Sequence, residues 1–391
     1  MSGCFSDDGG SGGGGAPFPA LIYPLPLLRP AAAPPPTAAR VMICDDSPVI
    51  RTAIARILEA DPAINVVARA SNGQAALDAL KLRDIDVVVL DIEMPVMDGM
   101  TALPLLLAAD PQLRVVMAST LTTRGADIAM RALRLGAADY LPKPTASLVA
   151  GDSRFGPELI EKVKGLARMR HRAQKSLSPA ASFPAPAQPV LALRPPPKQA
   201  PLLLALGSST GGPNALFAVI QHLSPRISIP IVLTQHMPAT FTPILAEHID
   251  RLGVLPCAEA RDGGKLKPGH IALAPGDRHL LVHRDGGGLA VKLSDAPPEN
   301  FCRPSVDPML RSAAACVDGR VLVVMLTGMG HDGLEGTRIV VNHGGAALTQ
   351  DEATSVVWGM PGAVARAGLA HAVLPLPQIA PKILAMLGVR A

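Results

Sequence analysis

Apolar and polar positions between Arg40 and about Leu159 follow a strand-then-helix pattern that repeats along the chain. The predicted strands are the short apolar runs Val41–Cys44, Asn65–Ala68, Val87–Leu90, Arg114–Ala118 and Asp139–Leu141. Amphipathic stretches such as Val49–Ala60 and Asp127–Leu135 lie between them. Regular alternation of strand and helix predicts an α/β fold, with a five-stranded parallel sheet covered by helices on both faces.

The chain from Pro201 to the C-terminus alternates in the same way. An apolar strand ends at Gly207, and the later predicted elements are strand Ile229–Gln235, helix Phe241–Leu252, helix Ser305–Cys316, strand Val321–Leu326, helix Gly333–Asn342 and strand Ala346–Thr349. Residues 257–297 are β-rich, with a hairpin predicted to turn at 285–288. We therefore predict two doubly wound parallel-sheet domains, the second larger, Rossmann-like and carrying a β-rich insertion.

Two segments lack this pattern. Residues 1–39 are rich in Gly, Ala and Pro, which predicts a disordered tail. Residues 160–200 begin with a charged run and continue as Pro, Ala and Ser. We interpret them as a solvated helix end and a semi-rigid linker rather than a docking site for acidic partners. The predicted domains are thus 40–159 and 201–391.

Composition excludes several classes of protein. A net charge of +4 over 391 residues and 3% aromatic residues argue against nucleic-acid binding. The five cysteines form no C-x-x-C pair, as expected of a reduced chain without disulfides or zinc; they are Cys4, Cys44, Cys257, Cys302 and Cys316. Prolines interrupt the N-terminal apolar stretches, so no signal peptide or spanning helix is predicted. We expect a cytoplasmic monomer.

Polar residues follow the predicted strands of the first domain. They are Asp45 and Asp46 after the first strand, Asp91 after the third, Ser119 after the fourth and Lys143 after the fifth. Any one of them, Asp46 for instance, could simply cap a helix. Together they lie at one sheet edge, where carboxylates repel one another unless a hard cation such as Mg²⁺ joins them.

Three motifs of this domain resemble response-regulator receiver domains: Cys-Asp-Asp-Ser (44–47), Leu-Asp-Ile-Glu-Met-Pro-Val-Met-Asp-Gly (90–99) and Leu-Pro-Lys-Pro (141–144). The resemblance implies that a histidine kinase is the phosphodonor for Asp91, and that Asp45, Asp46 and Asp91 hold Mg²⁺. It further implies that Ser119 follows the phosphoryl group, that Lys143 pairs with it, and that Tyr140 reorients.

In the second domain, Ser209 lies on a tight strand-to-helix turn with the G-x-S-x-G spacing of Gly207, Ser209 and Gly211. Such a turn suits a serine nucleophile, because backbone N–H groups and the helix N-terminus can stabilise an oxyanion. A phosphate-binding loop or a plain connector has a similar sequence. This motif alone does not distinguish them.

Two further strand ends favour catalysis. His236 follows strand Ile229–Gln235, and Asp332 lies just beyond strand Val321–Leu326. Because the three loops share one rim of a doubly wound sheet, a serine, an imidazole base and a carboxylate acceptor can meet there. The chain order Ser…His…Asp differs from that of α/β-hydrolases. We expect structural or surface roles for His270, His279 and His283, and sequence adjacency alone does not turn His331 toward Ser209.

The second domain also resembles the chemotaxis protein-glutamate methylesterase (CheB) family. The motifs that carry the resemblance are Gly-Ser-Ser-Thr-Gly-Gly-Pro (207–213), Thr-Gln-His-Met-Pro (234–238), Ala-Pro-Gly-Asp-Arg-His-Leu (274–280), Arg-Pro-Ser-Val-Asp (303–307), Leu-Thr-Gly-Met-Gly-His-Asp-Gly (326–333) and Asp-Glu-Ala-Thr-Ser-Val-Val-Trp-Gly-Met-Pro (351–361). It implies a triad of Ser209, His236 and Asp332, with Thr210 and the backbone around Met329 lining an oxyanion site. Leu334 and His248 depart from the family pattern, and the latter is a candidate to alter substrate contacts.

The same resemblance implies hydrolysis of glutamate methyl esters on chemoreceptors with release of methanol, and deamidation of receptor glutamines. It implies no cofactor in the second domain, membrane contact only through the receptors, and an unphosphorylated receiver that covers the triad. Two rivals are an output domain that binds a nucleotide or phosphate without catalysis and a DNA-binding output. Neither nucleotide fingerprint is complete after Gly212, and no basic recognition helix is evident.

Overall fold

The computed structural model describes residues 38–119, 122–143, 155–177, 192–197 and 199–389. Nearly all of the predicted tail and most of the predicted Pro-rich linker lie outside these ranges. No helix of the described ranges combines the length and apolar character required to cross a bilayer.

The first domain contains the predicted five-stranded parallel sheet. Its strands are β1 (Ala39–Cys44), β2 (Ile64–Ala70), β3 (Val87–Asp91), β4 (Arg114–Ser119) and β5 (Asp139–Pro142), in the spatial order β2-β1-β3-β4-β5. Helices α1 (Pro48–Glu59), α2 (Gly73–Leu82), α3 (Gly99–Ala109) and α4 (Thr123–Arg134) connect them. The central strand β3 is buried throughout, as its β-branched sequence predicts.

Helix α5 (Phe155–Leu177) corrects the predicted linker. The boundary predicted at residue 159 falls inside this helix, whose Leu159, Val163 and Leu166 are buried in the core of the first domain. The charged residues Lys162 and Arg170 are also buried, at 3% and 5% exposure. A solvated helix end is therefore wrong for this stretch, because its apolar stripe and two of its cations pack inward.

The second domain has a seven-stranded parallel sheet in the order β14-β13-β12-β6-β7-β9-β8. These strands are β6 (Leu203–Ser208), β7 (Ile231–Gln235), β8 (Cys257–Glu259), β9 (Ile271–Leu273), β12 (Val321–Met325), β13 (Ala346–Gln350) and β14 (Ala372–Leu374). The β-rich segment divides between the short strands β8 and β9 and a separate hairpin of β10 (His279–Asp285) and β11 (Gly288–Ser294), which turns at Gly286 and Gly287 as predicted. The helices are α6 (Gly212–Ile220), α7 (Thr242–Asp250), α8 (Val306–Cys316), α9 (Leu334–Asn342), α10 (Met360–Arg366) and α11 (Leu376–Met386).

This topology places the predicted site at a switch point. Strand β6 pairs with β12 on one side and with β7 on the other. The strands that follow β6 in the chain are therefore added first on one side of it and then on the other. A crevice forms outside the carboxyl ends of strands where the direction reverses. Ser209, His236 and the loop that carries Asp332 follow these three adjacent strands.

Candidate functional site

Ser209 lies on the predicted strand-to-helix turn and is half-buried. Gly211 caps the following helix with φ 73°, a left-handed conformation that favours glycine. Gln235 ties the turn to the neighbouring strand: its Nε2 donates to the Ser209 carbonyl at 2.9 Å, and its Oε1 accepts from Ser208 Oγ at 2.6 Å. The turn is therefore held in place from β7.

His236 and Asp332 form a direct pair. The distance from His236 Nε2 to Asp332 Oδ2 is 2.7 Å, and their side chains are 12% and 2% exposed. Five further groups donate hydrogen bonds to this carboxylate at 2.6 to 3.2 Å: Ser305 Oγ, Val306 N, Asp307 N, Asn300 Nδ2 and Gly333 N. A buried carboxylate with so many donors is fixed in orientation and ionised.

The pair has opposed pKa shifts. Burial by itself lowers the pKa of His236, but the hydrogen bond to Asp332 and the neighbouring Cys302 together raise it to about 10. Burial opposes ionisation of Asp332, yet the hydrogen bond to His236 and the surrounding donors hold its pKa well below the usual range. The imidazolium form of His236 is thus strongly stabilised.

The second ring nitrogen of His236 faces a cysteine. Its Nδ1 lies 3.4 Å from Cys302 Sγ, and no hydrogen bond joins the ring to Ser209 Oγ in the described chain. The backbones are nevertheless adjacent, since His236 N donates to the Ser208 carbonyl at 3.1 Å. Catalytic hydrogen bonds are often absent or long before substrate binds. The structure joins His236 to Asp332 and leaves Ser209 beside them.

The loop after β12 packs directly against the serine turn. Ser209 N donates to the Thr327 carbonyl at 3.0 Å, and Thr327 Oγ1 donates to the carbonyl of buried Thr210 at 2.9 Å. A Cβ on Gly328 would lie 2.8 Å from Ser209 Cβ, so only glycine permits this approach. Met329 follows in the same loop and is half-buried.

Two other histidines have structural partners. His279 is buried, and its Nδ1 accepts from Ser305 N at 3.2 Å. His248, expected from the family departure to affect substrate contacts, is instead 1% exposed and lies 3.2 Å from Asp127 on helix α4 of the first domain. That expectation is wrong, because the side chain faces the other domain.

The acidic residues of the first domain meet as predicted. Ligand oxygens of Asp45, Asp46 and Asp91 all lie within 4.8 Å of one another. Lys143 Nζ is 2.6 Å from Asp91 Oδ2 and 3.2 Å from Asp45 Oδ2. Burial raises the pKa of Asp91 despite the nearby ammonium. Asp45 Oδ2 and Asp91 Oδ2 are buried and face the Lys143 ammonium. Such oxygens suit a hard divalent cation.

The predicted switch residues Ser119 and Tyr140 are both buried. Ser119 Oγ donates to the Gly125 carbonyl at the start of α4, at 2.8 Å. The Tyr140 ring stacks on Phe241 of the second domain, with ring centroids 4.9 Å apart. The side chain expected to reorient is therefore part of the contact between domains.

A polar contact between the domains lies beside the serine turn. Asp139 Oδ2 accepts from Gly211 N at 3.1 Å, and Lys162 Nζ lies 3.2 Å from the same oxygen. Lys162 Nζ also donates to the Tyr140 carbonyl at 2.6 Å. Both charged side chains of this pair are almost fully buried. The first domain thus holds the N-terminus of the helix that follows Ser209.

Sequence reasoning missed several groups around the site. Asn300 bridges Asp332 and Asp307, Ser305 donates to Asp332, and Cys302 faces His236. Ser305 and Asp307 belong to a motif that was recognised, and polar residues directly before a helix could have indicated their role. Cys302 carried no signal, because a single cysteine in a loop has no periodicity.

The chain matches known families and proteins. Residues 204–383 match CheB methylesterase, and residues 41–149 match the response regulator receiver domain. The protein-glutamate methylesterase/protein-glutamine glutaminase of Azospirillum brasilense is 51% identical over 389 residues, which cover 95% of this chain and 98% of that protein. The protein of the same name from a group 2 operon of Rhodospirillum centenum is 54% identical, covering 88% of this chain and 93% of the relative.

A third relative, the protein-glutamate methylesterase/protein-glutamine glutaminase 1 of Paramagnetospirillum magneticum, is 51% identical and covers 90% of this chain and 97% of its own length. Similarity of this extent includes both domains and the order in which they occur. The chain therefore belongs to the CheB methylesterase family, with a response regulator receiver domain ahead of its methylesterase domain.

Proposed function

We propose that this protein is a protein-glutamate methylesterase that removes methyl esters from glutamate side chains of chemoreceptors and deamidates receptor glutamines, in the adaptation step of chemotaxis. The observation that carries the proposal is the His236–Asp332 pair beside the Ser209 turn, at the switch point of the sheet. The protein acts in the cytoplasm as a monomer and approaches the membrane through its receptors.

In the proposed reaction, Ser209 Oγ attacks the ester carbonyl while His236 takes its proton, and Asp332 stabilises the resulting imidazolium. Thr210 and the backbone around Met329 line the site where the oxyanion forms. His236 returns the proton to the departing methanol. Water then attacks the acyl-serine with His236 again as base, which releases the glutamate and restores Ser209.

The pH dependence of this reaction follows from the raised pKa of His236. Only the neutral ring can accept a proton, so esterase activity should rise with pH through a midpoint above the ordinary histidine value of 6.5. Replacing Asp332 by Asn removes the charge that favours the imidazolium, and the His236 midpoint should fall by about one unit or more. NMR titration of the ring measures this even where activity is low; an unchanged midpoint would contradict it.

We further propose that Asp91 accepts a phosphoryl group from a histidine kinase. Asp45, Asp46 and Asp91 would hold Mg²⁺, which when bound neutralises charge on the incoming phosphate. Lys143 pairs with the modified aspartate, and Ser119 and Tyr140 follow it. The contacts of Tyr140 with Phe241 support coupling to the second domain, so that the unphosphorylated receiver restrains the site.

Methanol release from methylated receptor membranes tests the proposal, with and without a small-molecule phosphodonor and Mg²⁺. Release that rises with the phosphodonor supports both the esterase and the switch. Methanol release that does not change with the phosphodonor would support the esterase activity and contradict its control by phosphorylation. No release from any receptor would favour an output domain that binds without catalysis.

Substitution of Asp91 tests its proposed role as the phosphoacceptor. In Asp91→Asn the amide cannot form the acyl phosphate, so stimulation by the phosphodonor should disappear while basal hydrolysis remains. Asp98→Asn is a matched control, because Asp98 caps helix α3 by accepting from Thr101 N. Stimulation that persists in Asp91→Asn would assign phosphorylation to another residue.

A further inference from the structure

Cys302 is held against the catalytic histidine by a tight turn. Glu299 and Cys302 exchange backbone hydrogen bonds of 3.1 and 3.0 Å, and the two residues between them, Asn300 and Phe301, are left-handed at φ 53° and 62°. Asn300 is anchored in turn, since its Nδ2 donates to Asp332 Oδ1 at 2.9 Å. The thiol therefore has a defined position, 3.4 Å from His236 Nδ1.

The result is a second relay that shares two members with the proposed triad. Sγ of Cys302, the imidazole of His236 and the carboxylate of Asp332 are joined in sequence by contacts of 3.4 and 2.7 Å. An imidazole that accepts the thiol proton, and a carboxylate that stabilises the imidazolium, are the arrangement that activates nucleophilic cysteines. Cys302 is partly exposed, so small reagents can reach it.

The other described cysteines differ from Cys302. Burial raises the pKa of Cys44 and of Cys257 to about 12, which keeps them as thiols. Cys316 is partly exposed like Cys302, but its Sγ donates to the Val282 carbonyl at 3.2 Å, and burial raises its pKa although Arg284 opposes the shift. Cys316 is thus the partly exposed reference cysteine for the test.

We propose that Cys302 is a nucleophilic cysteine in a Cys302–His236–Asp332 relay, and that its oxidation by hydroperoxides reversibly inhibits the esterase. The Cys302 proton passes to His236 as the sulfur attacks one peroxide oxygen; the S–O bond forms, the O–O bond breaks, and the leaving hydroxide takes the imidazolium proton from His236 to give water. Sulfur loses two electrons and the peroxide gains them. A dithiol reverses the step: one thiol displaces water to form a mixed disulfide, and the second releases Cys302.

Inhibition follows from the position of the modified sulfur, and this part rests on the proposed function. His236 Nε2 is already bound to Asp332, so Nδ1 is the nitrogen left to accept the proton of Ser209. A sulfenic acid on Cys302 remains beside Nδ1 and competes with Ser209 for it. Cys302 also raises the pKa of His236, so Cys302→Ala should shift the acid limb of the esterase pH profile to lower pH.

Alkylation rates test the reactivity of Cys302 without any esterase assay. The full-length protein is treated with iodoacetamide at pH 7, and peptide mass spectrometry gives separate rates for Cys302 and Cys316. We expect Cys302 to react about tenfold faster or more, because the His236–Asp332 pair lies against its sulfur and activates it. In Asp332→Asn the Cys302 rate should fall toward that of Cys316, and in Ser209→Ala it should not change. Equal rates for both cysteines in the wild-type chain would overturn the proposal.

The esterase assay tests whether oxidation of Cys302 inhibits hydrolysis. Hydrogen peroxide should lower methanol release by the wild-type chain at least about tenfold, and dithiothreitol should restore it. Cys316→Ser should behave like the wild type, and Cys302→Ser should resist peroxide. Wild-type activity that persists while Cys302 is oxidised would overturn the inhibitory role. If the untreated wild type releases no methanol, the proposed function fails together with this role, while the alkylation rates decide the reactivity of Cys302 separately.

Discussion

Replacing Ser209 by alanine should abolish methyl-ester hydrolysis, with kcat/KM falling by about 10⁴-fold or more in a protein that remains folded. Its half-buried hydroxyl is the group that we propose forms the acyl intermediate, on the turn whose Ser208 carbonyl accepts from His236 N. Without this hydroxyl no acyl-serine can form, so the ester is not converted into the intermediate that water hydrolyses. Folding should be unaffected, because the hydrogen bonds that hold Ser209 in the turn use its backbone N–H and carbonyl.

Ser208→Ala is the matched control. Ser208 occupies the preceding position of the same turn, but its Oγ is buried and bound to Gln235 Oε1 at 2.6 Å. Losing that bond should loosen the turn and cost far less activity, about tenfold or less. Comparable losses in the two variants, or wild-type turnover in folded Ser209→Ala, would remove Ser209 as the nucleophile.

Replacing Lys162 by methionine should lower the free energy of unfolding by about 3–5 kcal/mol, because the change leaves the buried carboxylate of Asp139 without its cation. Lys162 lies 3.2 Å from both Asp139 and Glu158, and its own side chain is 4% exposed. Urea denaturation followed by circular dichroism measures the loss. The same variant should change basal esterase activity, since Asp139 also accepts from Gly211 N beside the active serine.

Lys164, on the same helix, provides a control for the replacement of a lysine by methionine. Lys164 pairs with Asp61 at 3.2 Å but is 30% exposed, and Lys164→Met should cost no more than about 1 kcal/mol. The double variant Lys162→Met/Asp139→Asn should regain part of the lost stability, because no carboxylate then remains unpaired. A loss in Lys162→Met that does not exceed the Lys164→Met loss would contradict a stabilising buried pair.

Much of the fold was predictable because its patterns are local. The apolar run at Val87–Leu90 lies in β3, and Gly286 and Gly287 form the predicted hairpin turn. The three-residue strands β8, β9 and β14 were not predicted individually, since so few positions do not establish a period. Helix α5 was misjudged because composition alone does not reveal that Lys162 has a buried partner in a distant segment.

The sequence by itself determined the fold class, the two domains and the rim that carries Ser209, His236 and Asp332, because strand ends in a parallel sheet share one edge. Only the tertiary structure decided which atoms pair there. It placed Cys302 rather than Ser209 at His236 Nδ1, and Asp139 of the first domain at Gly211 of the second. Hydrogen bonds depend on a few tenths of an ångström between segments far apart in the chain, and that separation is set by the packing of the whole molecule.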